Sequence, residues 1–77
     1  MKRRLVLVFA ETPEVARDWI SQQPRGPIYV YANRWSAFIG RDPAFTFFAR
    51  VGEWWRIEKN DKAIWWAKDR GFREWPV

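Results

Sequence analysis

The sequence predicts a small α/β protein, with a three- to four-stranded mainly parallel sheet and two amphipathic helices. Two apolar runs carry this prediction, LVLVFA at 5–10 and PIYVYA at 27–32. An unbroken apolar run is typical of a strand that is covered on both faces, as strands of parallel sheets are. A helical pattern separates the two runs, and strand, helix and strand within about thirty residues form a βαβ unit with parallel strands.

The first helix is expected at 13–23. Thr12 can cap its amino end, and Pro13 suits the first helical position. One face of this helix collects its apolar residues, which are Val15, Ala16, Trp19 and Ile20. This pattern predicts that the helix packs on the sheet. The residues expected in the core include Val6, Val8, Trp19, Phe47 and Trp66.

The remaining chain predicts two further strands and a second helix. AFTFFARV at 44–51 is expected as the third strand, after a short helix at 34–40. The last helix is expected at 61–70, with Asn60 as its cap. FREWPV at 72–77 is expected as a short edge strand, since its proline is tolerated only at an edge.

An all-β small barrel is the alternative fold. Residues 28–32, 35–39, 45–51 and 54–58 would then form a meander joined by short turns. The alternation of side chains from 45 to 51 favours it. A chain of 77 residues forms a single compact domain, 1–77, in either case.

Three segments resemble the core of Rossmann-like and P-loop-like βα proteins, cut to minimal length. They are RRLVLVFAETPEVARDWI (3–20), PIYVYA (27–32) and FTFFARVGE (45–53). The resemblance implies a strand–helix–strand core followed by a third strand, with Glu53 where a P-loop enzyme keeps its metal-linked acid. However, FAETPEVA stands where that family has its phosphate-binding loop, and neither glycine-rich fingerprint is present. Short basic chains of this kind look like small phage-encoded proteins.

Composition argues against most enzyme classes. The chain has no cysteine and no histidine, which excludes a nucleophile activated by imidazole and a zinc site built on thiolates. Glu11 and Glu53, both after strands, are the paired carboxylates that catalysis would have to use. We therefore expect a non-enzymatic protein without cofactor or metal. No apolar stretch approaches the roughly 20 residues that span a bilayer. We therefore expect no membrane partner and a cytoplasmic location.

Tryptophan and arginine supply the expected binding residues. The net charge is +5, ten of the fourteen cations are Arg, and seven residues are Trp. These two residue types are enriched at the hot spots of protein interfaces, and they also clamp phosphates and stack on bases. The sequence therefore predicts docking on a macromolecule. A protein is the favoured partner, and single-stranded nucleic acid is the alternative. The candidate residues are Arg34, Trp35, Trp54, Trp55, Arg56 and Trp65.

Two Trp-Trp pairs, at 54–55 and 65–66, need separate assignments. Adjacent residues point in different directions, so each pair is expected to place one ring inward and one outward. On the last helix, the apolar face takes Trp66 and leaves Trp65 exposed among charged residues. For the first pair, the sequence does not indicate which ring is exposed.

Overall fold

One parallel four-stranded sheet forms the centre of the computed structural model, which describes residues 3–75. The strand order is β2-β1-β3-β4, and all three pairings are parallel. The strands are β1 (Leu5–Phe9), β2 (Ile28–Tyr31), β3 (Thr46–Arg50) and β4 (Arg73–Glu74). The predicted α/β class is confirmed, and the barrel alternative is wrong, because its second and fourth segments are helical. Pro76 and Val77, at the end of the predicted edge strand, lie outside the described residues.

Two α-helices and two short 3₁₀ helices connect the strands. They are α1 (Pro13–Ser21), the first 3₁₀ helix (Trp35–Phe38), the second 3₁₀ helix (Trp54–Arg56) and α2 (Glu58–Asp69). The predicted cap of α1 is confirmed, since the Thr12 hydroxyl accepts a hydrogen bond from the Val15 N–H at 3.3 Å. The predicted cap of α2 is wrong. This helix begins at Glu58, and Asn60 lies within its first turn.

The central strand β1 is buried on both faces. Val6 and Val8 pack toward α1, whereas Leu7 and Phe9 pack toward α2 and the first 3₁₀ helix. All four side chains are at most 2% exposed. The unbroken apolar run in the sequence therefore has the predicted cause, which is a strand with a packed layer on each side.

The two core layers differ in how completely they bury their aromatic rings. Phe38 and Phe48 are almost fully buried beneath α2, and Phe47 is 9% exposed on the α1 side. Trp19 and Trp66 pack against the core but remain partly exposed. These two tryptophans were predicted as core residues, and they lie instead at its margins, where a large ring has one side in contact and the other near solvent.

The short strand β4 is held to the sheet by an ion pair. The Arg50 guanidinium donates two hydrogen bonds to the Glu74 carboxylate, one of them at 2.7 Å between Nε and Oε2. This bonding raises the pKa of Arg50 above its ordinary value. The next backbone contact is the Trp75 N–H, which donates to the Phe48 carbonyl at 2.8 Å. Two residues of strand give little pairing, so the ion pair should carry much of the attachment.

Replacing Glu74 with Gln should loosen this edge. A two-pronged Arg–carboxylate contact is stronger than an exposed ion pair, and we expect a loss of about 1 kcal/mol in the free energy of unfolding. Hydrogen exchange of the Trp75 N–H should also become faster. Glu53→Gln is the matched control, because the Glu53–Arg56 pair is more exposed and should contribute almost nothing. Equal effects of the two substitutions would show that β4 does not depend on the ion pair.

Candidate functional site

The carboxyl edge of the sheet is where α/β proteins usually bind ligands. The crevice lies between β1 and β3, whose following segments lead to opposite faces. Here Glu11 fills it, because its Oε2 accepts a hydrogen bond from the Glu53 N–H at 2.9 Å. Gly52 has a φ of +58°, and a Cβ at this position would lie 2.5 Å from the Glu11 Oε1 atom. The protein's own carboxylate therefore occupies this crevice.

The two carboxylates that catalysis would have to use are both engaged within the protein. Glu11 bonds the backbone of Glu53, and the Glu53 side chain pairs with Arg56 at 2.6 Å. A cleft of about 460 Å³ lies beside them, lined by Glu11, Tyr31, Asn33, Arg56, Ile57, Glu58 and Lys59. Its acids and bases are mixed, so it presents no single charge to a ligand.

On the face of the sheet that α2 covers, Asn60 joins two other segments of the chain. Its side chain is fully buried, and its Nδ2 donates to the carbonyls of Ala10 at 3.0 Å and Trp54 at 3.1 Å. These bonds tie the end of β1 to the second 3₁₀ helix and to α2. Asn60 thereby fixes the position of the segment that carries the first Trp pair.

The first Trp pair divides as predicted, with one ring inward and one outward. Trp54 is partly buried against the α2-side core, and the Arg50 guanidinium lies 5.3 Å from the centre of its ring. Trp55 is 58% exposed, and its ring stands perpendicular to that of Trp54. The structure thus identifies Trp55 as the exposed member of the pair.

The second Trp pair lies on α2 and also divides. Trp65 is 69% exposed, which confirms its predicted position on the outer face of the helix. Trp66 is enclosed on one side by Trp35 and Phe38, with ring centres at 5.4 and 6.2 Å, and Arg70 lies 4.2 Å from its ring centre. One Trp of each pair, Trp55 in the first and Trp65 in the second, is therefore available at the surface, at two different places.

Two grooves lie beside the first 3₁₀ helix and α2. One, of about 490 Å³, is lined by Arg34, Trp35, Ser36, Lys59 and Lys62. The other has a similar volume of about 490 Å³ and shares Trp35 and Lys62 with the first. Its remaining lining residues are Arg50, Trp54, Asp61, Ile64, Trp65, Trp66 and Lys68. We name the surface that spans the two grooves the aromatic–basic surface, formed by Arg34, Trp35, Lys59, Lys62 and Trp65.

The aromatic–basic surface brings together half of the six predicted binding residues, Arg34, Trp35 and Trp65. Trp54 lines the second groove from its inner side, and neither Trp55 nor Arg56 lines either groove. Sequence reasoning missed Lys59, because the start of α2 was placed too late, and it placed Lys62 on the outer face of the predicted helix without selecting it as a binding residue. Their spacing of three residues is the signal that would have placed them on one helix face.

The first groove has an uncompensated positive charge. None of its lining residues is acidic. Among residues 3–75, Arg34 and Lys59 form no ion pair or side-chain hydrogen bond. Lys62 is 3.4 Å from Glu58, but both side chains are more than 70% exposed, so water screens the pair. These three cations are free to bind an anionic group.

Comparisons with known protein families, curated proteins and solved structures find no match to this chain. None of the helices within residues 3–75 is long and apolar enough to cross a membrane. The same part of the chain has no cluster of three or more acidic, histidine or cysteine side chains with metal-binding geometry. Fold and surface together define a small α/β protein that exposes tryptophan rings among basic side chains.

Proposed function

We propose that the protein is a non-enzymatic binding module that docks on another protein through the aromatic–basic surface. The observation that carries this proposal is the exposed Trp65 and Trp35 rings, with 69% and 47% of their surface open to solvent, beside three unneutralised or weakly paired cations. Trp and Arg are the residue types that dominate the binding energy of protein interfaces. A ring of this size buries roughly 150–250 Å² when a partner covers it.

Trp35 is supported from beneath, which favours binding. Its ring rests on Trp66, which in turn packs against Phe38 in the core. A side chain that is already held in place loses less conformational entropy when a partner binds than a free one does. Trp35 is therefore a rigid platform, and Trp65 supplies the more exposed contact next to it.

The charges of α2 favour a protein over nucleic acid as the partner at this surface. The helix carries Glu58, Asp61 and Asp69 among its lysines. A phosphate backbone running along the helix would meet these carboxylates, whereas a protein surface with mixed charges can match them. The preferred partner is a protein segment that places a carboxylate near Arg34 and an apolar side chain on Trp35. Single-stranded nucleic acid remains the second candidate, because the first groove combines Trp35 with cations only.

The biological setting that suits this module is the cytoplasm. A chain without cysteine forms no disulfide, so it has no need of an oxidising compartment. A small protein of this kind, encoded by a phage or a mobile element, would act by occupying a surface of a host protein and so modulating it. This function needs no cofactor and no metal.

Trp65→Ala should separate binding from folding. We expect a change in the free energy of unfolding of no more than about 0.5 kcal/mol, because the ring is mostly in solvent. Binding should weaken by tenfold or more, as for a hot-spot residue. The partner is first captured from cell lysate with the unmodified protein, with and without nuclease, and its affinity is then measured by calorimetry.

Trp55→Ala is the matched control, since it removes an equally large exposed ring that lines neither groove. It should leave the affinity within about twofold of the unmodified protein. Unchanged affinity of the Trp65 variant would refute the proposed surface. Capture that disappears with nuclease would instead support the nucleic-acid candidate.

A further inference from the structure

The amino edge of the sheet holds a second concentration of positive charge. The segments that enter the strands, 3–4, 22–27, 39–45 and 70–72, contain five arginines and one aspartate. The segments that leave the strands, 10–12, 32–34 and 51–57, contain two arginines and two glutamates. The first residue of β4, Arg73, adds another cation to the amino edge. The net positive charge of the described connections therefore lies at one end of the sheet.

Arg3 and Arg25 line a groove at this edge. Its volume is about 460 Å³, and its other lining residues are Ile20, Gln23, Pro24, Gly26, Pro27 and Tyr29. None of them is acidic. Both arginines are exposed, and within residues 3–75 neither has an ion pair, a side-chain hydrogen bond or an aromatic contact. Their charge is available to an anionic partner that reaches both.

Two more arginines are fixed nearby by aromatic rings. Arg4 lies 5.9 Å from the centre of the Trp75 ring, and Arg73 lies 5.3 Å from the centre of the Phe47 ring. The two rings contact each other at right angles, 5.1 Å between centres. Both guanidinium groups thus lie over aromatic rings, and both residues are exposed and form no ion pair within residues 3–75. We name Arg3, Arg4, Arg25 and Arg73 the amino-edge surface.

The amino-edge surface suits phosphates better than bases. Proteins that bind single strands stack bases on open aromatic rings. Here guanidinium groups lie over the Trp75 and Phe47 rings, and the Tyr29 hydroxyl donates to the Pro24 carbonyl at 3.2 Å. A duplex keeps its bases stacked inside and presents regularly spaced phosphates, which four exposed or ring-supported arginines can neutralise.

We propose that the amino-edge surface binds the phosphate backbone of double-stranded nucleic acid without sequence preference. This inference is independent of the proposed protein partner, since that partner docks on the aromatic–basic surface of α2. A module with both surfaces holds a protein partner against a duplex.

The salt dependence of binding tests the inference in the unmodified protein. A fluorescent DNA duplex of about 20 base pairs is titrated by anisotropy at several salt concentrations. Four phosphate contacts predict a log–log slope of about −3.6, or roughly a hundredfold weaker binding when salt rises from about 50 to 200 mM. A second duplex of scrambled sequence should bind equally well. Absence of binding at the lowest salt concentration, or a slope near zero, would overturn the inference.

The double variant Arg3→Ala with Arg25→Ala should halve this slope to about −1.8, because two of the four phosphate contacts are lost. Arg17→Ala with Arg56→Ala is the charge-matched control. It also removes two exposed arginines, from the outer face of α1 and from the carboxyl edge. The control should keep the slope of the unmodified protein. Equal losses in the two double variants would show that net charge alone is responsible, and this would also overturn the inference.

The single strand of the same length completes the test. The duplex should bind more tightly, because its charge density is higher. Tighter binding of the single strand, unaffected by the Arg3 and Arg25 substitutions, would assign nucleic-acid binding to the tryptophans of α2 instead. Both outcomes are independent of the Trp65 experiment, which uses the captured protein as its ligand.

Discussion

Replacing Phe38 with alanine is expected to lower the free energy of unfolding by about 3–5 kcal/mol, the range for large aromatic residues in cores. Phe38 is only 1% exposed, although it comes from a four-residue 3₁₀ helix. Its ring contacts those of Phe9, Phe48, Trp66 and Phe72, at distances of 4.8–6.5 Å between centres. A domain of this size has a total stability of roughly 4–12 kcal/mol, so the variant should unfold at the low end of that range and lose about a quarter or more of its stability at the high end.

Urea denaturation checks the Phe38 prediction, with two companion variants. Phe38→Leu keeps most of the volume and should fold with a smaller loss, which gives a measurable value if the alanine variant does not fold. Ile39→Ala changes the neighbouring residue, which is 58% exposed, and should alter stability by no more than about 0.5 kcal/mol. A Phe38→Ala protein that is within 1 kcal/mol of the unmodified one would contradict the aromatic packing described above.

The Asn60→Asp substitution should cost several kcal/mol at neutral pH while changing almost no volume. The Asn60 amide donates to two backbone carbonyls from a fully buried position. In an aspartate, an oxygen would replace the nitrogen that donates to both carbonyls, and the ionised carboxylate would place a charge in the core. Burial favours the neutral acid, so the pKa of the new carboxyl in the folded protein should rise above its value of about 3.9 in the unfolded chain.

The sign of the pH dependence follows from that shift. Below about pH 4 both states of the variant are protonated, and the cost is limited to the lost hydrogen bond. As pH rises, the unfolded chain ionises first, so the difference in stability from the unmodified protein should widen. Urea denaturation of both proteins at acidic and neutral pH measures this difference. Asn33→Asp, at an exposed position, is the control and should show no such trend. A gap that is the same at both pH values would contradict the buried position of Asn60.

Local patterns in the sequence were sufficient for much of the fold. The apolar run of β1, the Thr12 cap and the Pro13 start of α1 are signals carried by neighbouring residues, and all three were confirmed. The exposure of Trp65 followed from helical periodicity alone. Parallel pairing also followed, because one helix between two short apolar strands leaves few other topologies.

Features that depend on distant residues were not accessible in the same way. Asn is a good helix cap, so Asn60 was assigned to that role, yet its partners include Ala10, fifty positions away in the chain. No side chain caps α2, and its true start therefore has no capping signal in the sequence. Lys59 was missed for that reason. The amino-edge arginines come from three separate segments, at 3–4, 25 and 73, and the parallel sheet places these segments at the same edge by aligning the starts of its strands.

The hydrogen bond between the Glu11 carboxylate and the Glu53 N–H has a consequence for the ligands that this edge of the sheet can bind in a living cell. Metabolites with carboxylate groups are abundant, and an open crevice between two parallel strands would sample them continually. Glu11 is joined to the end of β1 by a single residue, so its effective concentration at the Glu53 N–H is set by the short tether and is at least about millimolar. A free acid must compete with this tethered group for the same N–H. The Glu53 N–H is thereby satisfied from within the chain, and this hydrogen bond should not depend on which carboxylic acids a starved or a growing cell contains.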